Sequence, residues 1–235
     1  MQSIGEAFLL SIDLVRTADA DLLEIVGLSL YVSVTATLLA CLLGISLGSI
    51  LAFLRFPGRT PCLIFVNALM GLPPVVVGLV VYLYLSRSGP LGFLGLLYTP
   101  TAMIIAQTIL ITPIIIALSR QVLEELGNEY RDTFASFGLT SVQSFLTLIV
   151  EGRFALITVA LAGFGRAIAE VGAVMIVGGN IDHLTRVMTT AIALETSKGN
   201  LPLALALGIV LVSIALVVNG LVFAIRSSSA RLSYV

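Results

Sequence analysis

The chain has 235 residues, 58% of them hydrophobic and 11% charged, with a mean hydropathy of +1.12 and a formal net charge of −1. Soluble domains carry roughly 25% charged residues, and so few charges cannot cover a water-exposed surface. A single histidine and two cysteines exclude a His-rich metal site and a disulfide framework, and the near-zero net charge says little about partners; none is expected to be a nucleic acid.

The first twenty residues hold a short apolar stretch, Ile4 to Val15, with Glu6 and Asp13 inside it and no basic segment before it. This pattern is unlike a secretory leader and predicts a helix lying at the membrane interface. A spanning helix needs ~20 mainly apolar residues. Five stretches qualify: 22–54, 61–85, 98–118, 154–177 and 201–225. Pro73-Pro74 interrupts the second and predicts a kink or an unwound turn. Gly44 and Gly48 in the first, and Gly165, Ala169 and Ala173 in the fourth, form small-residue rows that suit close helix packing. Cys41 and Cys62 read as packing residues.

The loops are 55–60, 86–95, 120–153 and 178–200. The basic residues Arg55, Arg59, Arg120, Arg131, Arg153, Arg226 and Arg231 fall on one side. Arg16, Arg87, Arg186 and Lys198 fall on the other, and Arg166 lies within a span. The positive-inside bias places the N-terminus outside and the 120–153 loop and C-terminus in the cytoplasm. The expected fold is therefore all-α: a multi-pass domain of the cell membrane over 1–235, with about five transmembrane helices and an N-terminal interfacial helix.

The 120–153 loop predicts two helices. Asn128 reads as an N-cap, Glu129 as a first-turn acid, and the helix as running to Phe137. Gly138 suits a left-handed C-cap, and Thr140 to Gln143 reads as a capping box opening the second helix. Tyr130, Phe134 and Phe137 are large aromatic groups on a polar segment, where a partner surface or the chain's own bundle must cover them.

The pattern Asp132-Thr-Phe-Ala-Ser-Phe-Gly138, followed by Leu148-Ile-Val150, resembles the coupling-loop motif of type I ABC importer permeases. Gly138 keeps its position and Asp132 replaces a glutamate. Thr133 and Phe134 depart from the motif's two alanines, and Glu151 from its final proline. The stretch from Gly163 to Asn180, continued by Thr185 to Gly199, is similar to the permease subunit of tungstate importers, which are related to molybdate and sulfate permeases. The resemblance implies a homodimer, two cytoplasmic ATPase subunits that carry ATP and Mg, and an extracytoplasmic oxyanion-binding protein. It implies that Glu129, Tyr130, Asp132, Phe134, Ala135, Phe137, Gly138 and Leu139 meet the ATPase. This chain then carries no catalytic residue and no cofactor, and it contains no Gly-x-x-x-x-Gly-Lys phosphate loop.

Candidate path or gate residues follow from chemistry. Arg166 and Glu170 are four apart on one predicted helix, deep in a span, where ionised groups face the interior and pair. They flank the pathway or form a structural pair. Thr189, Thr190, Thr196, Ser197 and Asn180 offer donors for a tetrahedral dianion beside Arg186 and Lys198, or serve as capping groups of an outer loop. Pro73 and Pro74 free backbone carbonyls that only protein or water can satisfy, at a gate or at a packing kink. Gly178-Gly179 permits a helix break or a plain stop, and His183 beside Asp182 is expected in solvent. The lone His183 and the absence of a His-Glu-x-x-His helix argue against an intramembrane protease. A passive channel or scaffold is the remaining alternative.

Overall fold

The computed structural model describes residues 4–17 and 19–232. Eleven α-helices occur among them, in the order α1 (Ile4–Thr17), α2 (Ala20–Phe53), α3 (Arg59–Met70), α4 (Pro74–Leu85), α5 (Pro100–Glu129), α6 (Arg131–Ser136), α7 (Ser141–Glu151), α8 (Arg153–Ile168), α9 (Gly172–Gly178), α10 (Met188–Lys198) and α11 (Leu201–Leu232). A 3-10 turn, Gly92–Leu94, lies between α4 and α5. No strand occurs among the described residues.

Helices α2 and α5 form the central pair. Asp19 caps α2, its carboxylate accepting from the backbone of Asp21 and Leu22 at 3.1 and 3.3 Å. At 34 and 30 residues, α2 and α5 are long enough to cross a ~30 Å hydrocarbon layer with turns to spare. The small-residue row of α2 faces α5. A Cβ on Gly44 would lie 2.7 Å from Ile115 Cγ2, and one on Gly48 2.7 Å from the Ile116 carbonyl. The glycines thus serve contact within the chain. Val32, Ala36, Ala40, Ile111, Ile115, Val159 and Val174 build the core around this pair. A second cluster joins Leu22, Ile25, Met188, Ala191 and Leu207, with Leu14 and Val15 of α1 packed against it.

Three helices, α2, α5 and the 201–221 part of α11, have the length and apolarity to cross a membrane, and two bent pairs bring the number of candidate spans to as many as five. The pair α3–α4 bends by 98°. Pro73 and Pro74 produce much more than a kink here, because Gly71 and Leu72 close α3 with short-range bonds to Ala68 and Leu69 before α4 starts from Pro73. The pair α7–α8 bends by 61° at Gly152.

Three expectations need correction. The polar segment after Leu118 does not begin a loop: α5 continues to Glu129, so Asn128 is helix interior and the expected Glu129–Phe137 helix is the shorter α6. Leu123 is fully buried there, so an amphipathic face carries the helix onward after the apolar run ends. The 154–177 stretch is not one helix, for α8 stops at Ile168 and α9 starts at Gly172. The 178–200 segment is not simply a loop, since Met188–Lys198 is helical.

Candidate functional site

The two breaks, between α3 and α4 and between α8 and α9, meet. A Cβ on Gly172 would lie 3.0 Å from Val75 Cγ2, and one on Gly78 2.8 Å from Ala173 Cα. Discontinuous helices inside a membrane protein are tolerated only where protein or water satisfies the freed backbone groups. At the α8–α9 break, side chains add to the short backbone bond from the Glu170 N–H to the Ala167 carbonyl. Gln107 Nε2 donates to the Ala167 carbonyl at 3.1 Å. Thr189 Oγ1 donates to the Glu170 carbonyl at 2.7 Å. Glu170 Oε1 accepts the Ala173 N–H at 3.2 Å and so caps α9, where the helix dipole favours a negative charge.

Arg166 and Glu170 do pair, Nη1 to Oε2 at 2.7 Å, although the helix ends between them. Glu170 is 5% exposed and the Arg166 side chain 41%. The carboxylate is thus buried while the guanidinium that pairs with it stays partly exposed. A cavity of about 10 Å³, the size of one water, lies against Glu170, Gln107, Thr189, Ser29 and Ser33. Gln107 Oε1 is buried there without a hydrogen-bond partner.

Pro73 and Pro74 sit at the α3–α4 break, where Val76 and Val77 both donate to the Pro73 carbonyl. The hydroxyl row on α10 divides. Thr189 joins the break; Thr190 is buried and bonds within its own turn, exchanging contacts with Val187. Thr196 and Ser197 are exposed near the other end of α10, and Ser197 donates to the Leu194 carbonyl. Asn180 has φ +51° and donates to the Thr190 carbonyl at 3.4 Å. Gly179, at φ +72°, is a plain C-cap of α9. His183 is exposed, and its Nδ1 lies 2.8 Å from Glu24 Oε2. This contact, with Asp182 and Asp21 nearby, raises the His183 pKa above its ordinary value. Gln107, Ser29 and Thr185 were absent from the sequence-level candidates. Ser29 Oγ accepts the Met188 N–H at 2.7 Å, and Thr185 Oγ1 donates to the Gly178 carbonyl at 2.6 Å. Gln107 did carry a signal, as a lone amide in an apolar run that must find a partner.

The second candidate region is the hairpin of α6 and α7. Gly138 has φ +64°, with open space where a Cβ would stand. Its glycine is therefore set by backbone conformation and not by crowding. Gly138 and Leu139 close α6 through the carbonyls of Ala135 and Phe134. The Thr140–Gln143 capping box is present. Tyr130 and Phe134 stack at 5.6 Å, and both are half-buried. Phe137 is 76% exposed, and Glu129, Asp132 and Ala135 are exposed with it, while Leu139 is half-buried. The hairpin thus leaves a large aromatic side chain uncovered by the chain's own bundle.

Residues 44–229 match the family described as binding-protein-dependent transport system inner membrane component. A tungstate uptake system permease protein of Peptoclostridium acidaminophilum is 41% identical, over 96% of this chain and 99% of that protein. One from Campylobacter jejuni is 40% identical, over 92% of this chain and 90% of its own length. A probable anion ABC transporter permease protein of Haloferax volcanii is 43% identical, over 85% and 88%. With its helical architecture, matched residues and relatives taken together, this chain belongs to the binding-protein-dependent transport family as a type I ABC importer permease subunit.

Proposed function

We propose that two copies of this chain form the membrane path of an ATP-driven importer for a tetrahedral oxyanion, tungstate. The relatives named for tungstate uptake, matched over nearly their whole length, carry this reading. Molybdate is the nearest competitor and sulfate a weaker one; the shared dianion geometry leaves the choice among them to the binding protein outside. ATP and Mg belong to two cytoplasmic ATPase subunits, and this chain performs no hydrolysis. The N-terminus lies outside and the C-terminus in the cytoplasm, as the arginine bias favours.

In this mechanism the ATPase pair closes on ATP and moves the α6–α7 hairpin through Asp132, Phe137 and Gly138. The bend at Gly152 passes the motion to α8, and the α8–α9 break lets the outer piece move against α4. Arg166 gives the passing dianion a transient partner, and Glu170 behind it keeps that attraction weak enough for release. Thr196, Ser197 and Asn180 offer further weak donors toward the outer side. Pro73 and Pro74 hold the second break against the first. The test is uptake by proteoliposomes containing the permease, the ATPase and the binding protein, read by elemental mass spectrometry. ATP-dependent tungstate accumulation, suppressed by molybdate more than by sulfate, is expected. Passive conduction without the ATPase would replace this reading with a channel.

A further inference from the structure

A groove of about 870 Å³ lies between the C-terminal end of α2, the last turns of α5 and the hairpin. Its wall is divided by chemistry. Arg55, Arg59 and Arg131 supply three positive charges against one glutamate, Glu124. Arg59 is committed: its Nη2 meets Glu124 Oε1 at 2.9 Å and its Nε caps the Leu51 carbonyl, while Arg120 holds the other Glu124 oxygen. The carboxylate is thereby already neutralised. Arg55 and Arg131 are exposed, with no acidic partner among the described residues.

The rest of the wall is apolar. Phe53 and Phe145 meet edge-to-face at 5.0 Å across the α2–α7 gap. Leu148 is buried beneath them, while Val142, Ile50 and Leu54 remain exposed. The groove also continues into a longer feature. Leu39, Leu43, Leu47, Ile50 and Leu54 are all exposed and follow one another at helical spacing down α2. An apolar stripe along a spanning helix thus ends in a groove that Arg55 and Arg131 also line.

We propose that this groove is a binding site for an anionic phospholipid, whose phosphate rests on Arg55 and Arg131 and whose acyl chains lie along the α2 stripe. Basic pockets between helix ends recognise anionic headgroups in this way. Arginine presents a planar fork that matches phosphate oxygens. Phe134 and Leu139 line the groove from the inner side of the hairpin, opposite the exposed Phe137. The lipid therefore lies beneath the element proposed above to receive the ATPase; its assignment to the cytoplasmic leaflet rests on that reading. A bound lipid sets the height of the hairpin, which makes coupling sensitive to membrane charge.

The experiment is native mass spectrometry of the full complex, reconstituted in nanodiscs of phosphatidylcholine with a fraction of phosphatidylglycerol. Each unpaired arginine is expected to favour the anionic lipid on the order of fivefold, so the wild type retains phosphatidylglycerol over phosphatidylcholine by more than tenfold. The pair Arg55→Gln and Arg131→Gln is expected to lose that preference while still assembling with the ATPase. Val142→Trp, which fills the groove without changing charge, is expected to lower retention of both lipids. Equal retention of the two lipids by the wild type would overturn the site. So would loss of the lipid whenever the ATPase subunit binds, since the groove would then belong to that contact. Preference for phosphatidylglycerol with Phe137→Cys labelled from outside the cell upholds the site and overturns only the orientation.

Discussion

At the residue scale, a few buried polar groups hold the α8–α9 break. Removing Arg166 leaves Glu170 with a single backbone donor in an apolar setting. Breaking a fully buried pair costs about 3–5 kcal/mol, and partial exposure of Arg166 reduces this to on the order of 2 kcal/mol. Arg166→Ala is expected to lower thermal stability in detergent and to impair uptake. In Arg166→Ala with Glu170→Gln, stability is expected to return, because glutamine still caps α9, while uptake stays low; full return of uptake would mark the pair as structural only. Gln107→Leu removes one of the donors to the Ala167 carbonyl, which keeps the Glu170 N–H, so the cost is that of a single hydrogen bond, about 0.5–1.5 kcal/mol. A lowered melting temperature measures it, and an unchanged one would show that the break does not need this brace. His183 contributes with a definite sign. Its raised pKa means that its link to Glu24 stabilises fully below the unfolded value near 6.5 and fades as pH rises through the folded value. The stability difference between wild type and His183→Gln is expected to shrink across that window, and to stay small because both groups are exposed.

At the element scale, the hairpin makes the sharpest prediction. Gly138 combines a left-handed backbone with empty surroundings. A β-branched side chain there costs on the order of 1–2 kcal/mol of backbone strain, whereas asparagine tolerates the conformation. Gly138→Val is expected to leave ATP hydrolysis running while uptake falls, and Gly138→Asn to retain both. Equal behaviour of the two variants in coupled uptake assays would remove the geometric role given to this turn. This element was also the most legible in sequence, since the left-handed glycine and the capping box are local signals. The helix leading into it was not, because α5 outlasts its apolar run on an amphipathic face centred on Leu123. The α8–α9 break escaped reading for the opposite reason. Nothing between Ile168 and Gly172 is a proline, and the break is held by Gln107 and Thr189, which are distant in sequence. The contact between Arg166 and Glu170 was foreseen from a four-residue spacing that the final geometry does not keep helical.

At the scale of the whole molecule, composition decided that lipid is the main solvent, and the long runs of α2, α5 and α11 located three crossings. The remaining two bent pairs are tertiary features, because a 98° turn is stable only when α4 has α9 to lie against. The molecule is thus a packed α2–α5 centre with two interlocked broken helices on one side and an exposed hairpin below. The proposed function requires that this hairpin face the cytosol and receive an ATPase subunit. The direct test is cross-linking of Phe137→Cys to the ATPase subunit in native membranes. A thiol-specific cross-link to that subunit, with no labelling of intact cells by a membrane-impermeant maleimide, is the predicted result. Labelling from outside with no cross-link would contradict it.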